Sequence, residues 1–474
     1  MGYFKDEKNN PMNASLWYTI CSILQKGIAM LLVPVYIRLM TTEEYGTYTL
    51  FQSWEGIVLV FTTLNLASYA FNNALIKNDK RKDWVTGNFL GLICALTVLV
   101  CGIFLLFPKQ WELLFGLSGK YILLIVLDSS FTVMIDLWYA KNRFDFKYRG
   151  VVVITLLIST ANMILGILAV CLSQDKAFAA VIVRTAIQGT VSICLAYSIW
   201  TKGKSIFDFG IWKYALTFNI PLIPHFLSMK ILQQADRIMI QKLSGTSQAG
   251  IYGFSYKISE VMLIFNTALL GSLIPWTYKK LKEEHYIEIF DKVFLTIALI
   301  GVLNLLLILL APEAVSILGT EDYRDAIYII PPIACSCFLM YLFNVFVNVT
   351  YFYEQNKLVI AASAAAAVIN IGLNYVYIPK YGYLAAGYTT LASYIFLTVM
   401  HGLMYRYALH VKRIHVKIYD IKKIARLAVI VIFVGCGSTI LYQNRIIRYL
   451  IVLIIIGTTI CKKNDILNGI NGRT

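Results

Sequence analysis

The chain has 474 residues, of which 58% are hydrophobic and only 14% are charged, with a mean hydropathy of +0.68. A soluble domain carries about a quarter charged residues, so the composition excludes one and predicts an all-α polytopic membrane protein. The formal net charge of +16 could suit nucleic acid. The cations lie in short loops between apolar segments, however, where they orient a membrane protein, and no nucleic-acid partner is expected.

About 20 apolar residues cross a bilayer as a helix, and on that measure the sequence predicts about 14 spans. They lie at 14–37, 48–74, 84–107, 121–140, 150–172, 177–200, 213–235, 250–275, 290–311, 327–352, 358–378, 383–405, 424–443 and 446–461. The polar N-terminus followed by a long apolar run argues against a cleaved signal peptide. The loops are too short for an ATPase domain, so an ion gradient, a substrate gradient or another protein must supply energy.

Lys and Arg concentrate in the N-terminal tail, in every second loop and in the C-terminal segment. This pattern predicts that both termini are cytoplasmic. The predicted parts are an N-terminal lobe of helices 1–6 (1–200), a cytoplasmic linker (201–213), a C-terminal lobe of helices 7–12 (214–405), and two extra helices with a tail (406–474).

The first span carries a lysine, Lys26, near its middle, where a charge costs roughly 2.5–3.5 kcal/mol on insertion scales. A faint repeat of this region follows about 204 residues later, which is typical of transporters built from two related halves. The aligned pairs are Lys26 with Lys230, Arg38 with Lys242, Gly46 with Gly250, and Tyr48 with Tyr252.

Prolines lie in the first span of each predicted lobe. Pro34 lies late in the first span, and Pro221 and Pro224 lie early in the seventh. Proline removes helix hydrogen bonds and bends or breaks a helix. These helices are therefore candidate moving parts, and an ordinary transmembrane kink is the equally weighted alternative.

Four cations fall within spans rather than loops and are the candidate substrate-binding residues. They are Lys26, Lys230, Arg184 and Lys257. Facing one cavity, they would attract an anion, above all a phosphate or pyrophosphate. The alternative is that their side chains reach the membrane interface, which is strongest for Lys257 near its span's start and weakest for Lys26.

Polar residues within or near spans are the candidate groups for ion coupling. They are Glu55, Glu260, Asp236, Asn370 and Asn374. A buried carboxylate can bind Na⁺ or a proton, and amide oxygens suit hard cations. For Lys257 and Glu260, three residues apart, a local neutralising pair is favoured. For Asn370 and Asn374, hydrogen bonding between helices is favoured.

Catalysis is not predicted, because the sequence contains no recognisable nucleophile–base pair or carboxylate dyad. The cysteines lie almost entirely in apolar runs and the histidines form no ligand motif, so no metal site is expected. No cofactor is expected beyond an Na⁺ or H⁺ gradient.

Several short motifs carry a family resemblance. They are S-x-L-Q-K-G at 22–27, Pro34-x-Tyr36, Arg38-Leu39, T-x-E-E-Y-G at 41–46, Ile220-Pro-Leu-Ile-Pro-His at 220–225, Ala-Asp-Arg at 235–237 and Ala-Gly-Ile-Tyr at 249–252. The chain resembles the Wzx-type polysaccharide flippases of the MOP superfamily, which also contains MATE exporters and lipid II flippases. The likeness extends over essentially the whole chain.

The resemblance implies two six-helix lobes around a basic cavity, with two extra C-terminal helices. It implies movement of an undecaprenyl-pyrophosphate-linked oligosaccharide from the inner to the outer leaflet of the bacterial cytoplasmic membrane. A polysaccharide polymerase is the implied partner. Proton-type MATE exporters carry an Asp in the first span, whereas 14–40 here has none and has Lys26. This departure favours an anionic lipid-linked substrate.

Two alternatives stay open at this stage. The first is a cation-coupled MATE-type exporter that uses Glu55 or Glu260. The second is a membrane-embedded glycan polymerase, which is less favoured because every loop is short and no catalytic constellation is present.

Overall fold

The computed structural model describes residues 11–67, 69–353, 356–414, 416 and 418–461, and the regular secondary structure in these residues is entirely helical. Within them, 12 helical segments are long and apolar enough to cross a membrane. The prediction of an all-α polytopic membrane protein is therefore confirmed. The end of the predicted C-terminal tail, 462–474, lies outside the described residues.

The chain divides into two compact units, with the boundary after Gly250. This boundary lies beyond the predicted linker 201–213, and the two six-helix lobes stay a prediction. The first unit contains α1 (Pro11–Leu39), α2 (Thr42–Thr63), α3 (Tyr69–Lys77), α4 (Lys82–Leu106), α5 (Pro108–Phe115), α6 (Gly119–Phe144), α7 (Tyr148–Leu172), α8 (Lys176–Gly203), α9 (Phe209–Asn219) and α10 (Ile223–Ser244). In it, α2 packs against α6 and α10, α6 against α8, and α1 against α7.

The second unit begins within α11 and continues to the C-terminus. Its helices are α11 (Thr246–Ser259), α12 (Val261–Lys282), α13 (Tyr286–Leu309), α14 (Ala311–Leu318), α15 (Ile330–Phe352), α16 (Asn356–Tyr381), α17 (Tyr383–Val411), α18 (Ile421–Gly437) and α19 (Arg445–Cys461). Helix α15 contacts α13, α17 and α18, and its most apolar window is 89% buried. A helix that is apolar on all sides belongs in a core, and α15 is the centre of this unit.

The last helix is attached to the second unit by a buried ion pair. Arg448 of α19 is fully buried, and its guanidinium donates to both carboxylate oxygens of Glu313, at 2.9 and 2.6 Å. It also donates to the backbone carbonyl of Leu309 at 3.1 Å. Bidentate pairing of this kind fixes position as well as charge. The contact therefore orients α19, which has 17 residues and is not among the 12 candidate spans.

The predicted span 48–74 is not one helix, which corrects the sequence analysis. Helix α2 ends at Thr63, and Leu64 and Asn65 follow with φ of 44° and 53°. Two successive left-handed residues cannot continue a right-handed helix. The hydroxyl of Thr63 accepts a hydrogen bond from the Asn65 amide at 3.1 Å, which stabilises the turn.

The proline-rich start of the second predicted lobe is interrupted as expected. A 3-10 turn, Ile220–Leu222, separates α9 from α10 and contains Pro221, while Pro224 lies in the first turn of α10. Proline fits a first helical turn because its missing N–H has no partner there. By contrast, α1 continues through Pro34 to Leu39.

Helices α2 and α11 begin differently. The hydroxyl of Thr41 accepts from the Glu44 amide at 3.2 Å, and the Glu44 carboxylate accepts from the Thr41 amide at 2.8 Å. This capping box satisfies two backbone donors at the start of α2. Helix α11 instead follows Gly245, whose φ of 108° is a conformation that residues with a side chain rarely adopt.

Candidate functional site

Three helices of the first unit bring together a charged cluster, which we call the triad, formed by Glu55 of α2, Asp128 of α6 and Arg184 of α8. Nη2 of Arg184 lies 2.6 Å from the Glu55 carboxylate and 3.0 Å from the Asp128 carboxylate. The exposed fractions of the side chains are 21% for Arg184, 13% for Glu55 and 0% for Asp128. Helices α2, α6 and α8 all pack on one another, so backbone packing places these groups together.

The triad lies beside a cavity of about 300 Å³ that has a partly polar lining. Arg184 of the triad lines this cavity, and so does Tyr48 of α2. The ring of Tyr36 meets Tyr48 edge to face at 5.3 Å. Gln188, one turn beyond Arg184, also lines the cavity and accepts from Thr132 at 2.7 Å. The cavity can therefore receive polar groups within the first unit.

The structure gives Arg184 a different setting from the one predicted. Two carboxylates face its guanidinium, whereas the sequence predicts that Arg184 acts with other cations to bind an anionic substrate. Its role in substrate binding stays a prediction. Sequence reasoning found Glu55 but left Asp128 out of the site, because an acid in a span carries no sign of which neighbouring helix it faces.

Lys26 and Lys230, the paired lysines, are both partly buried within their helices. Lys26 follows Gln25 in α1, and Gln25 lines the cavity beside the triad. Lys230 lies in α10, close enough to Asp136 of α6 for their charges to attract each other. The charge of Arg143 also attracts Asp136. Asp136 is exposed, so it faces open space and not the core. The two lysines thus lie on helices of the first unit, and their contact with substrate stays a prediction.

Lys257 and Glu260 form the local neutralising pair that the sequence favoured. Nζ of Lys257 lies 2.9 Å from the Glu260 carboxylate, and the side chains are 33% and 32% exposed. Each charge therefore has its own partner one helical turn away.

The favoured interpretation of Asn370 and Asn374 is also confirmed, because both amides bond between α16 and α17. Asn370 donates to Thr390 at 3.2 Å and Asn374 donates to Asn370 at 3.3 Å, while Thr389 donates to Asn374. Asp236 is 1% exposed beside Arg237 in α10. Across the described ranges, no group of three His, Cys, Asp or Glu residues could hold a metal ion.

The aligned glycines Gly46 and Gly250 contact each other, which sequence similarity alone did not reveal. A Cβ added at Gly46 would overlap the backbone carbonyl of Thr246, and one added at Gly250 would overlap that of Thr42. A Cβ at Gly250 would also lie 3.2 Å from Cα of Gly46. Each glycine thus meets the carbonyl four residues before the other, so the contact is reciprocal. We call it the glycine contact.

Solved transporter structures share this fold. The chain is similar to the lipid II flippase MurJ in an inward closed conformation, with a TM-score of 0.70, 12% identity, and coverage of 95% of this chain and 99% of that one. It is also similar to an inward-facing multidrug resistance MATE family transporter of the MOP superfamily, with a TM-score of 0.66, 14% identity, and coverage of 81% and 93%. The fold is therefore the one that these solved transporters have.

The sequence also matches a protein family. The profile described as polysaccharide biosynthesis protein matches residues 13–281, which is more than half of the chain. The chain also shares 23% identity over 370 residues with a protein of the Lsg locus of Haemophilus influenzae, covering 75% of this chain and 88% of that protein. The protein belongs to the polysaccharide biosynthesis protein family. The resemblance to Wzx-type flippases is confirmed at the level of family and fold.

Proposed function

We propose that this protein is a flippase for undecaprenyl-pyrophosphate-linked oligosaccharide repeat units. It would carry them from the inner to the outer leaflet of a bacterial cytoplasmic membrane by alternating access. The proposal is supported chiefly by membership of the polysaccharide biosynthesis family in a chain with a MOP-transporter fold. On the outer face, a polysaccharide polymerase would take over the delivered repeat unit.

The placement of cations supports an anionic headgroup as cargo. Lys26 and Lys230 lie within helices α1 and α10, where a cation in a low-dielectric setting attracts a negatively charged group. A pyrophosphate passing through the protein would supply transient negative charge to both. Lysine suits this task, because its compact ammonium binds phosphate without a fixed geometry.

The glycine contact supports alternating access. In the predicted orientation, with both termini cytoplasmic, the starts of α2 and α11 face the outer side of the membrane. Their close approach at Gly46 and Gly250 would then close the outer side. A contact made by small residues and backbone, without ion pairs, can separate at modest cost and allow release to the outer leaflet.

The test is transfer of a fluorescent undecaprenyl-pyrophosphate oligosaccharide across proteoliposomes containing the full chain. We expect Lys26→Ala and Lys230→Ala to reduce transfer at least tenfold. The matched control is Lys120→Ala, which removes a cation that is 47% exposed and pairs with Asp175 at the surface. Normal transfer in both interior variants would exclude these lysines as pyrophosphate contacts.

The likeness to a MATE transporter supports one alternative, a cation-coupled exporter of small molecules. The same proteoliposomes separate the two functions. Efflux of cationic dyes without oligosaccharide transfer would establish the exporter and overturn the flippase. Oligosaccharide transfer without dye efflux would support the flippase.

A further inference from the structure

We propose that Glu55 and Asp128 hold one exchangeable proton between them, with Arg184 as the fixed counter-ion. The site binds a proton whether or not the cargo is a lipid-linked glycan. Its part in driving transport rests on the proposed function.

The charges of the triad do not cancel, since two carboxylates face one guanidinium at 2.6 and 3.0 Å. The triad would therefore carry a net charge of −1 in surroundings where Asp128 is fully buried. An uncompensated buried charge is strongly unfavourable. Binding one proton removes it.

The two carboxyl groups are close together, because a single nitrogen, Nη2 of Arg184, lies 2.6 Å from an oxygen of Glu55 and 3.0 Å from an oxygen of Asp128. Two ionised carboxylates at that separation repel, so one of them takes up a proton. Oδ2 of Asp128 faces Arg184 at 3.0 Å, whereas Oδ1 has no hydrogen-bond donor in the described part of the chain. A proton on either acid supplies that bond, as Glu55–COOH donating to Asp128 or the reverse, and leaves one carboxylate paired with Arg184.

Neutral side chains also surround the triad. They are Thr185 of α8, Tyr48 of α2 and Tyr36 of α1. The Tyr36 hydroxyl interacts electrostatically with Arg184. The Tyr48 hydroxyl also accepts from Gln52 at 3.0 Å. These neutral side chains do not offset the excess negative charge of the triad.

A proton suits the site better than Na⁺ does. A sodium ion needs several oxygen ligands around it, but Arg184 already holds an oxygen of each acid and would repel a second cation. A proton requires only the space between two oxygens. The cavity of about 300 Å³ that Arg184 and Tyr48 line gives it a polar route to the triad.

Binding of the proton would change the interaction between α2 and α6. The shared hydrogen bond joins α2 to α6, while loss of the proton leaves two negative groups that push these helices apart. Helix α2 also carries Gly46 of the glycine contact, nine residues before Glu55. Proton release and separation of the glycine contact would therefore act on the same helix.

The test is infrared difference spectroscopy of the full-length protein in lipid vesicles, titrated through neutral pH. We expect a protonated-carboxyl C=O band at pH 7 that disappears in both Glu55→Gln and Asp128→Asn, because each variant leaves one acid with one arginine. Glu260→Gln is the matched control, since its acid already has Lys257, and it should retain the band. Absence of the band from the unmodified protein, or its persistence in both variants, would overturn the proposal.

Two further arms identify the ion and separate this proposal from the flippase function. Addition of Na⁺ at constant pH should leave the band unchanged, and loss of the band on Na⁺ addition would assign the site to sodium instead. In proteoliposomes, transfer by the unmodified protein should accelerate at least tenfold with an imposed pH gradient, and Asp128→Asn should abolish that acceleration. A retained band without any transfer would leave the proton site standing and overturn the flippase.

Discussion

The faint sequence repeat aligns helix α2 with helix α11. The two helices share one feature and differ in another. Both place a glycine one turn from the start, and these glycines pack together. Farther along, the charges diverge. Glu55 reaches across to α6 and α8, whereas Lys257 and Glu260 neutralise each other locally.

The difference indicates which features of the two aligned helices depend on each other. In a reciprocal contact both glycines must be kept, because a side chain on either one would overlap the backbone carbonyl opposite it. A charge cluster has no such requirement. One copy is therefore free to balance its charges one to one, while the other gathers two acids around one base.

The largest expected effect is removal of the base from the triad. Arg184→Met leaves Glu55 and Asp128 without a cation and should lower the free energy of unfolding by about 3–5 kcal/mol, as for other broken buried ion pairs. Thermal unfolding in detergent measures this loss. The triple variant that also carries Glu55→Gln and Asp128→Asn should recover much of the stability. An Arg184→Met protein that melts like the unmodified one would show that the triad is not a coupled unit.

The glycine contact should show the next largest effect. Gly46→Ala places a methyl group against the Thr246 carbonyl and should cost about 1–3 kcal/mol through overpacking. Gly250→Ala should cost a similar amount because the contact is reciprocal. Gly102→Ala is the control, since a Cβ at this helical glycine meets nothing within 4 Å. Melting temperatures that fall for only one of the first two variants would contradict the reciprocity.

The start of α2 should contribute less. Thr41→Ala removes the side-chain half of the capping box and should reduce stability by about 1 kcal/mol. Thr47→Ala in the same helix serves as the control, because its hydroxyl donates only to the Glu43 carbonyl within the helix. Equal unfolding midpoints for the two variants would contradict the role of the cap.

The smallest effect should come from the local ion pair between Lys257 and Glu260 at the end of α11. A double-mutant cycle with Lys257→Met and Glu260→Gln should give a coupling of less than about 1 kcal/mol, because both groups are about a third exposed and screened. The corresponding cycle with Arg184→Met and Glu55→Gln should give a larger value. A coupling at Lys257 and Glu260 as large as that of the triad would remove the distinction between the two helices.

Much of the architecture could be predicted from sequence because membrane spans follow from apolar length alone. The interruption at Pro221 also followed from local chemistry. The break after Thr63 did not, since Leu64 and Asn65 give no strong turn signal within an apolar run. The pairing of Lys257 with Glu260 was accessible because their spacing places them on one helix face.

The triad and the glycine contact could be found only in part. Glu55 and Arg184 were recognisable as charges within spans, but their partners depend on how α2, α6 and α8 rotate against one another. Residues 73 positions apart, such as Glu55 and Asp128, leave no periodic signal in one sequence. Likewise, the alignment of Gly46 with Gly250 indicated a repeat, but it did not indicate that these two glycines contact each other.

The glycine contact has a consequence for genetics. At both points of closest approach the opposing group is a backbone carbonyl, of Thr246 or Thr42. No amino-acid substitution removes a backbone carbonyl. A strain carrying Gly46→Ala therefore cannot be rescued by a smaller side chain at position 246. Intragenic suppressors of such an allele should arise instead where they let α11 or α2 slide, away from the altered residue and its direct neighbour.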